Sequence, residues 1–279
     1  MHVVQISDTH LSHLGGVTTD NFVRLVDHLN AVVRPDLVVN TGDVVMLSPD
    51  LDEDRSVARA LHDRLAAPVR VLPGNHDVGE VGEEAWMGIV VTDQRVEAFE
   101  AAFGPSRFVE LVGDLALVGI NSEILSSGLA CEGEQWQWLD ETAARLAHHP
   151  VLLFSHKPLW SPFGDVPGHT VAIAKDDRER ILELFSASPV TVSASGHLHR
   201  YLNGTTDGVL TVSAPSTAFL AAAGGDPRPG LQQLGYVELL VDGSAVRASY
   251  RSVPGLVELG AFDLPEVVAT KARLEQAAP

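Results

Sequence analysis

Five short clusters of oxygen and nitrogen donors stand out along the chain. They are Asp8-Thr9-His10, Gly42-Asp43, Gly74-Asn75-His76-Asp77, His156 and Gly196-His197-Leu198-His199. No cysteine sits among them. Carboxylates, an amide carbonyl and imidazole nitrogens together suit borderline divalent ions such as Mn, Fe, Zn or Co, rather than Ca or a thiolate-bound metal. The donors are too many for one ion, which points to a pair. Two ions side by side clamp the attacking and leaving oxygens of a phosphoryl group and make a metal-bound hydroxide near neutral pH.

The elements that must position these donors are legible as short apolar runs, one just ahead of each cluster. Val3–Ile6, Leu37–Asn40, Val69–Leu72, Val151–Phe154 and Val190–Ser193 read as strands, with a further one at Leu115–Ile120. Between several of them lie helical patterns. The clearest is Phe22, Leu25, Val26, Leu29 and Val32, an i, i+3, i+4, i+7 stripe with Thr19 or Asp20 as its expected N-cap. Further helices are expected near Arg55–Leu65, Gln94–Phe103, Gln135–Leu146 and Arg178–Phe185. This alternation favours parallel pairing in the first part of the chain. After Gly196 the pattern changes to strands at Val209–Ser213, Tyr236–Val241 and Ala245–Tyr250, the last two joined by an Asp242-Gly243-Ser244 turn. Mixed sheets with helices outside predict an α/β, four-layer αββα sandwich, with the donors on loops at the carboxyl ends of parallel strands. Residues 1–263 read as one domain and 264–279 as a helical tail, which the sequence assigns neither to its own chain nor to a partner. Ala221–Gly230, rich in Ala, Gly and Pro, reads as a mobile loop near the site.

In this order, each after a strand, the five clusters resemble those of the calcineurin-like metallophosphoesterases. Within that family the chain is most similar to bacterial class III cyclic-nucleotide phosphodiesterases and the related glycerophosphodiesterases, from Met1 to about Val246. The resemblance implies the same αββα fold. It implies a first metal held by Asp8, His10, Asp43 and His199, and a second by Asp43, Asn75, His156 and His197, with Asp43 bridging. The ions implied are Mn²⁺ or Fe²⁺/Fe³⁺, with Zn²⁺ or Co²⁺ as alternatives. His76 is implied as a catalytic group beside the leaving group rather than a ligand. Asp77 either orients His76 or caps the loop. Asn75, His76 and Arg200 are the expected substrate contacts, with Arg200 reaching a phosphate oxygen; a solvated charge is the competing reading for Arg200 and for Lys157. Here the chain has Ser155-His156-Lys157-Pro158 where the family often has His-His-x-Pro, which weakens any transfer of substrate preference. Asn121 suits either a substrate contact or an Asx turn. Trp160 suits stacking on a base or sugar, and Trp136 and Trp138 suit helix packing. Of the other histidines only His169 is set near the site.

Composition narrows the partners. The 279 residues carry a formal net charge of −18, which repels polyanions and argues against nucleic acid and anionic membranes. Small phosphate esters remain accessible, since two bound dications reverse the local field. No apolar run approaches the roughly 20 residues of a membrane span. The first strand begins at once with no leader pattern ahead of it, and the single Cys131 forms no internal disulfide, so the cytoplasm is the expected compartment. The expected activity is hydrolysis of small phosphodiesters, cyclic nucleotides and glycerophosphodiesters included. A phosphomonoesterase on the same ions is the alternative, and a non-catalytic metal-binding scaffold is a third reading. A homo-oligomer is left open.

Overall fold

Alternation along the short strands decides which side chains each sheet turns inward. The computed structural model describes residues 1–82, 85–163, 171–221 and 228–277. One sheet holds β1 (His2–Ile6), β2 (Leu37–Asn40), β3 (Val69–Val71), β10 (Tyr236–Asp242) and β11 (Ala245–Arg251) in the order β11-β10-β1-β2-β3. The other holds β4 (Phe108–Val112), β5 (Leu115–Gly119), β6 (Val151–Ser155), β7 (Val190–Ser195), β8 (Leu202–Thr206) and β9 (Val209–Ser213) in the order β4-β5-β6-β7-β9-β8. β1, β2 and β3 pair in parallel, as do β5, β6, β7 and β9. The late hairpin β10–β11 is antiparallel and joins β1, while β4 and β8 add antiparallel edges to the second sheet.

Val3, Leu37 and Val39 meet Leu117, Leu152, Phe154 and Val192 between the sheets. Their neighbours Val4, Ile6 and Val38 face the other way, onto Phe22, Leu25 and Val26 of α1 (Val17–His28), Ala58 of α2 (Asp52–His62) and Phe99 of α4 (Asp93–Phe103). Val118 and Leu153 face outward onto Trp136 and Leu139 of α5 (Ala130–Arg145) and Ile181 of α6 (Lys175–Leu184). The architecture is mixed α/β in the expected αββα order. Burying each such Leu or Phe contributes roughly 1.5–3 kcal/mol, so the alternation itself dictates the layers. No helix among the described residues is long and apolar enough to cross a membrane.

Three features depart from the sequence expectation. β4 and β8 are additional strands. α1 begins at Val17 after Gly16, ahead of Thr19 and Asp20, and its N-terminal amide at Thr18 donates to Glu266 Oε1 at 3.1 Å. A long-range carboxylate replaces the local cap. That carboxylate belongs to α7 (Pro265–Ala277), which packs on its own chain: Leu264 and Val267 are buried against Met46, Leu47 and Phe219. Residues 222–227 of the Ala221–Gly230 segment lie outside the described residues, as does His169.

Candidate metal centre

Every donor cluster lies just past the carboxyl end of a parallel strand. Asp8 and His10 follow β1, Asp43 follows β2, His156 follows β6, and His197 and His199 follow β7. Asn75 and His76 open the single-turn helix α3 (Asn75–Val78) after β3. Two glycines permit the convergence. A Cβ on Gly74 would lie 2.3 Å from Asp43 Oδ1, and one on Gly196 would lie 1.8 Å from Ser7 Oγ. Asp8, His10, Asp43, His197 and His199 all adopt left-handed backbone, with φ between 42° and 67°. Such conformations cost on the order of 1–2 kcal/mol per residue, and the packed scaffold maintains them.

The side chains form two sets that share Asp43: Asp8, His10, Asp43 and His199, and Asp43, His156 and His197, the ligand atoms of each set lying within 4.8 Å of one another. Asn75 Oδ1 joins the second set at 3.2 Å from His156 Nε2. Backbone carbonyls fix the tautomers. His10 Nδ1 meets Met46 O at 2.8 Å, His199 Nδ1 meets Phe219 O at 3.2 Å, and His156 Nδ1 meets Thr41 O at 2.8 Å. A carbonyl only accepts, so each Nδ1 carries the proton and each Nε2 of a neutral ring presents a lone pair. His10 Nε2 and His199 Nε2 nonetheless stand 3.2 Å apart. Asp8 Oδ1 is buried, with His199 Nε2 3.3 Å away. Neutral rings would face lone pair to lone pair beside a buried carboxylate, an arrangement that needs a cation between them, a proton in the metal-free protein or a metal ion in its place. The donor set therefore fits a pair of metal ions, and the residues are arranged to hold a dinuclear site.

Proton balance agrees. Burial drives His10 and His197 down to about 3. Burial also opposes charge on His156, but the Asp43 carboxylate outweighs it and pushes that ring up to about 10. Asp8 likewise overcomes burial to raise His199. Metal-free, these protons neutralise the carboxylates, and incoming ions must displace them.

His76 belongs to neither set. Its backbone N–H donates to Asp43 Oδ1 at 2.9 Å, its Nδ1 is held by Leu47 O at 3.1 Å, and its Nε2 looks across at Asp43 Oδ2 at 3.8 Å. Asp77 does not orient it. Both Asp77 oxygens are spent on backbone amides, from Val44 at 3.0 Å, Val45 at 2.9 Å and Gly74 at 2.8 Å. Burial and the nearby Asp43 push this carboxyl up to about 7 against the pull of those amides. Of the two alternatives for Asp77, the structure shows the loop brace.

Both cations that follow metal-ligand positions are engaged elsewhere. Arg200 is fully buried, and its Nη1 donates to the carbonyls of Arg228 and Pro229 at 2.7 and 3.1 Å. Lys157 Nζ is buried between Glu80 Oε2 and Glu123 Oε2, each at 3.1 Å. Asn121 makes the Asx turn, its Oδ1 accepting from Glu123 N at 3.0 Å. Trp160 lies beneath the Arg178 guanidinium, 5.7 Å from the ring centre, and Trp136 is buried in the helix layer.

Several supporting groups were invisible to sequence reasoning. Phe219 stacks on His10 at 4.5 Å and lies against His199 at 5.0 Å. Asn40, at the end of β2, accepts from Gly42 N at 3.0 Å and donates to His62 Nε2 at 2.9 Å, while His62 Nδ1 donates to Ala58 O at 2.8 Å. This relay ties the Asp43 loop to α2. The only local signal was a strand-end asparagine ahead of Thr41-Gly42-Asp43.

The chain is similar to known proteins. The family model for calcineurin-like phosphoesterases matches residues 1–201. The human serine/threonine-protein phosphatase CPPED1 is 28% identical over 259 residues, covering 88% of this chain and 76% of that protein. A probable cyclic nucleotide phosphodiesterase of Psychrobacter sp. (strain PRwf-1) is 27% identical over 213 residues, 72% of this chain and 58% of that one. The crystal structure of a dimetal phosphatase from Danio rerio superimposes with a TM-score of 0.62 at 14% identity, over 92% of this chain and 97% of that one, and so shares the fold. With five donor clusters converging at the strand ends of an αββα sandwich, and a family model spanning all of them, the chain belongs to the calcineurin-like phosphoesterases.

Proposed function

We propose that this metal-dependent phosphoesterase acts on small phosphodiesters, cyclic nucleotides and glycerophosphodiesters among them. Asp8, His10, Asp43 and His199 would hold one ion, and Asp43, Asn75, His156 and His197 the other. When bound, the ions supply Lewis acidity and activate water. The chain's own groups do the rest. Asp43 would contribute to holding both ions, and Asn75 would add a donor without adding charge. His76, with Nδ1–H anchored on Leu47 O, presents Nε2, which in the imidazolium form would give its proton to the departing oxygen and in the neutral form would only accept one.

The observation that carries the diester reading is the commitment of Lys157 and Arg200 to internal partners. A monoester dianion brings a second charge, and neither of these cations is presented to it. A diester needs neutralisation of one charge only. The similarity to CPPED1, a phosphatase, supports the second reading, a phosphomonoesterase on the same ions. A non-catalytic scaffold would lack a reason to keep His76 poised over the bridging carboxylate. The compartment we propose is the cytoplasm. Burial and the adjacent Asp93 push the Cys131 thiol up to about 12, consistent with an unreactive cysteine in a reducing environment.

The test is the kcat/KM ratio for bis-p-nitrophenyl phosphate against p-nitrophenyl phosphate, with protein stripped of metal and reloaded with Mn²⁺. A ratio well above one is expected. A ratio well below one makes the enzyme a monoesterase.

A further inference from the structure

The mouth of the site lies where its rings meet solvent. Asp8, His10, Asp43, His156 and His199 are buried, whereas His76 and His197 are partly exposed. On the His76 side the next surface is the Trp86 indole, whose ring lies 4.7 Å from the His76 ring in an edge-to-face arrangement of 63°. Trp86 is itself partly exposed and packs on the buried cluster of Met46, Leu47 and Phe219.

The placement of Trp86 is built from the interior. Its backbone N–H donates to Glu80 Oε1 at 3.0 Å, and the other oxygen of that carboxylate takes Lys157 Nζ at 3.1 Å. Lys157 is clamped in turn by Glu123, and the three side chains are at most 5% exposed. A buried Lys–Glu network costs desolvation and earns little net stability. It does fix position, and here it joins the residue after His156 to the residue that walls His76. The turn is closed by Met87 in left-handed backbone, with φ of 54° and the side chain 40% exposed.

With His76 acting on the departing oxygen as proposed above, a group leaving past His76 would next meet this indole. We infer that Trp86 is a specificity-determining residue that selects esters whose group on the His76 side is flat and aromatic, as an aryl ring or a nucleobase is, over saturated groups of similar reactivity. The inference rests on the phosphoester hydrolysis proposed above. Stacking of a flat ring on an aromatic side chain corresponds to roughly a tenfold or greater preference.

The experiment compares methyl phenyl phosphate with methyl hexafluoroisopropyl phosphate. Their leaving groups are of similar basicity, and only one is flat and aromatic. Trp86→Leu keeps an apolar wall, and Trp86→Phe keeps an aromatic one. For Trp86→Leu, kcat/KM on the phenyl ester should fall about tenfold while the fluoroalkyl ester changes less than about twofold. Trp86→Phe should retain most of the phenyl preference. Metal content is measured on each protein so that altered loading is not mistaken for altered selection. Equal losses on both esters, or no loss on either, would overturn the inference. If wild-type protein cleaves neither diester but cleaves phenyl phosphate, the diester reading fails, and the same ratio is read with phenyl and hexafluoroisopropyl monoesters.

Discussion

The two ion sets share Asp43 but differ in charge and enclosure. The set of Asp8, His10, Asp43 and His199 has two carboxylates and is buried throughout, with Phe219 stacked over its histidines. The set of Asp43, His156 and His197 has only the shared carboxylate, gains the neutral Asn75 oxygen, and opens at His197. Less negative charge holds an ion more weakly and leaves it a stronger Lewis acid. The enclosed set should therefore retain its ion and the open one exchange it.

The most severe way to break this contrast is to remove what the sets share. Asp43→Asn should bring metal content below two ions per chain and lower kcat by more than about a hundredfold. Elemental analysis alongside kinetics checks both, and two retained ions would contradict the bridge. His76→Ala should leave both sets intact. It should cost roughly 10²- to 10⁴-fold on esters with poor leaving groups and much less on nitrophenyl esters. Asn75→Asp erases the charge difference itself. The second ion should then resist chelator longer while kcat falls roughly 10- to 100-fold, a trade seen by timing metal release against activity.

The smallest effect probes the relay that steadies the shared loop. Burial holds His62 down at about 4, below its usual 6.5. Between these values the unfolded chain binds more protons than the folded one. Stability is therefore complete above about pH 6.5 and declines as pH falls toward 4, by at most about 3 kcal/mol. His62→Gln keeps an acceptor for Asn40 and cannot titrate. Thermal melts from pH 7 to pH 4 should show a shallower decline for it than for wild type.

Much of this frame could be read in the residues, and the gaps have physical causes. Strands such as Leu37–Asn40 and Val209–Ser213 were found at their true limits because apolar runs bounded by turn residues leave few alternatives. β8, Leu202–Thr206, was hidden because an edge strand rich in Asn, Gly and Thr lacks the apolar signal and is defined by pairing with β9. The start of α1 was misplaced because its cap comes from Glu266, far along the chain. The donor types that converge were legible from chemistry. That five of those residues sit in left-handed backbone was not, since the preference of Asp and His for that region is too weak to locate it from sequence. Arg200 and Lys157 show the limit most plainly. Adjacency to a ligand position in sequence left phosphate contact and a solvated charge both open, and packing instead turned both cations inward.

Sheet order has a consequence for the life history of the chain. β4 to β9 come from one continuous stretch, Phe108–Ser213, whereas β1 is completed only by β10, and the Met1 amino group donates to Val241 O across 240 positions. Contacts of such separation are slow to form. On the ribosome the second sheet can be assembled while β1, already beside β2, still lacks β10. Asp8 and His10 belong to that waiting strand, and His199 to the finished sheet. Because the enclosed ion set draws on both sheets, metal uptake should report their docking rather than their separate formation.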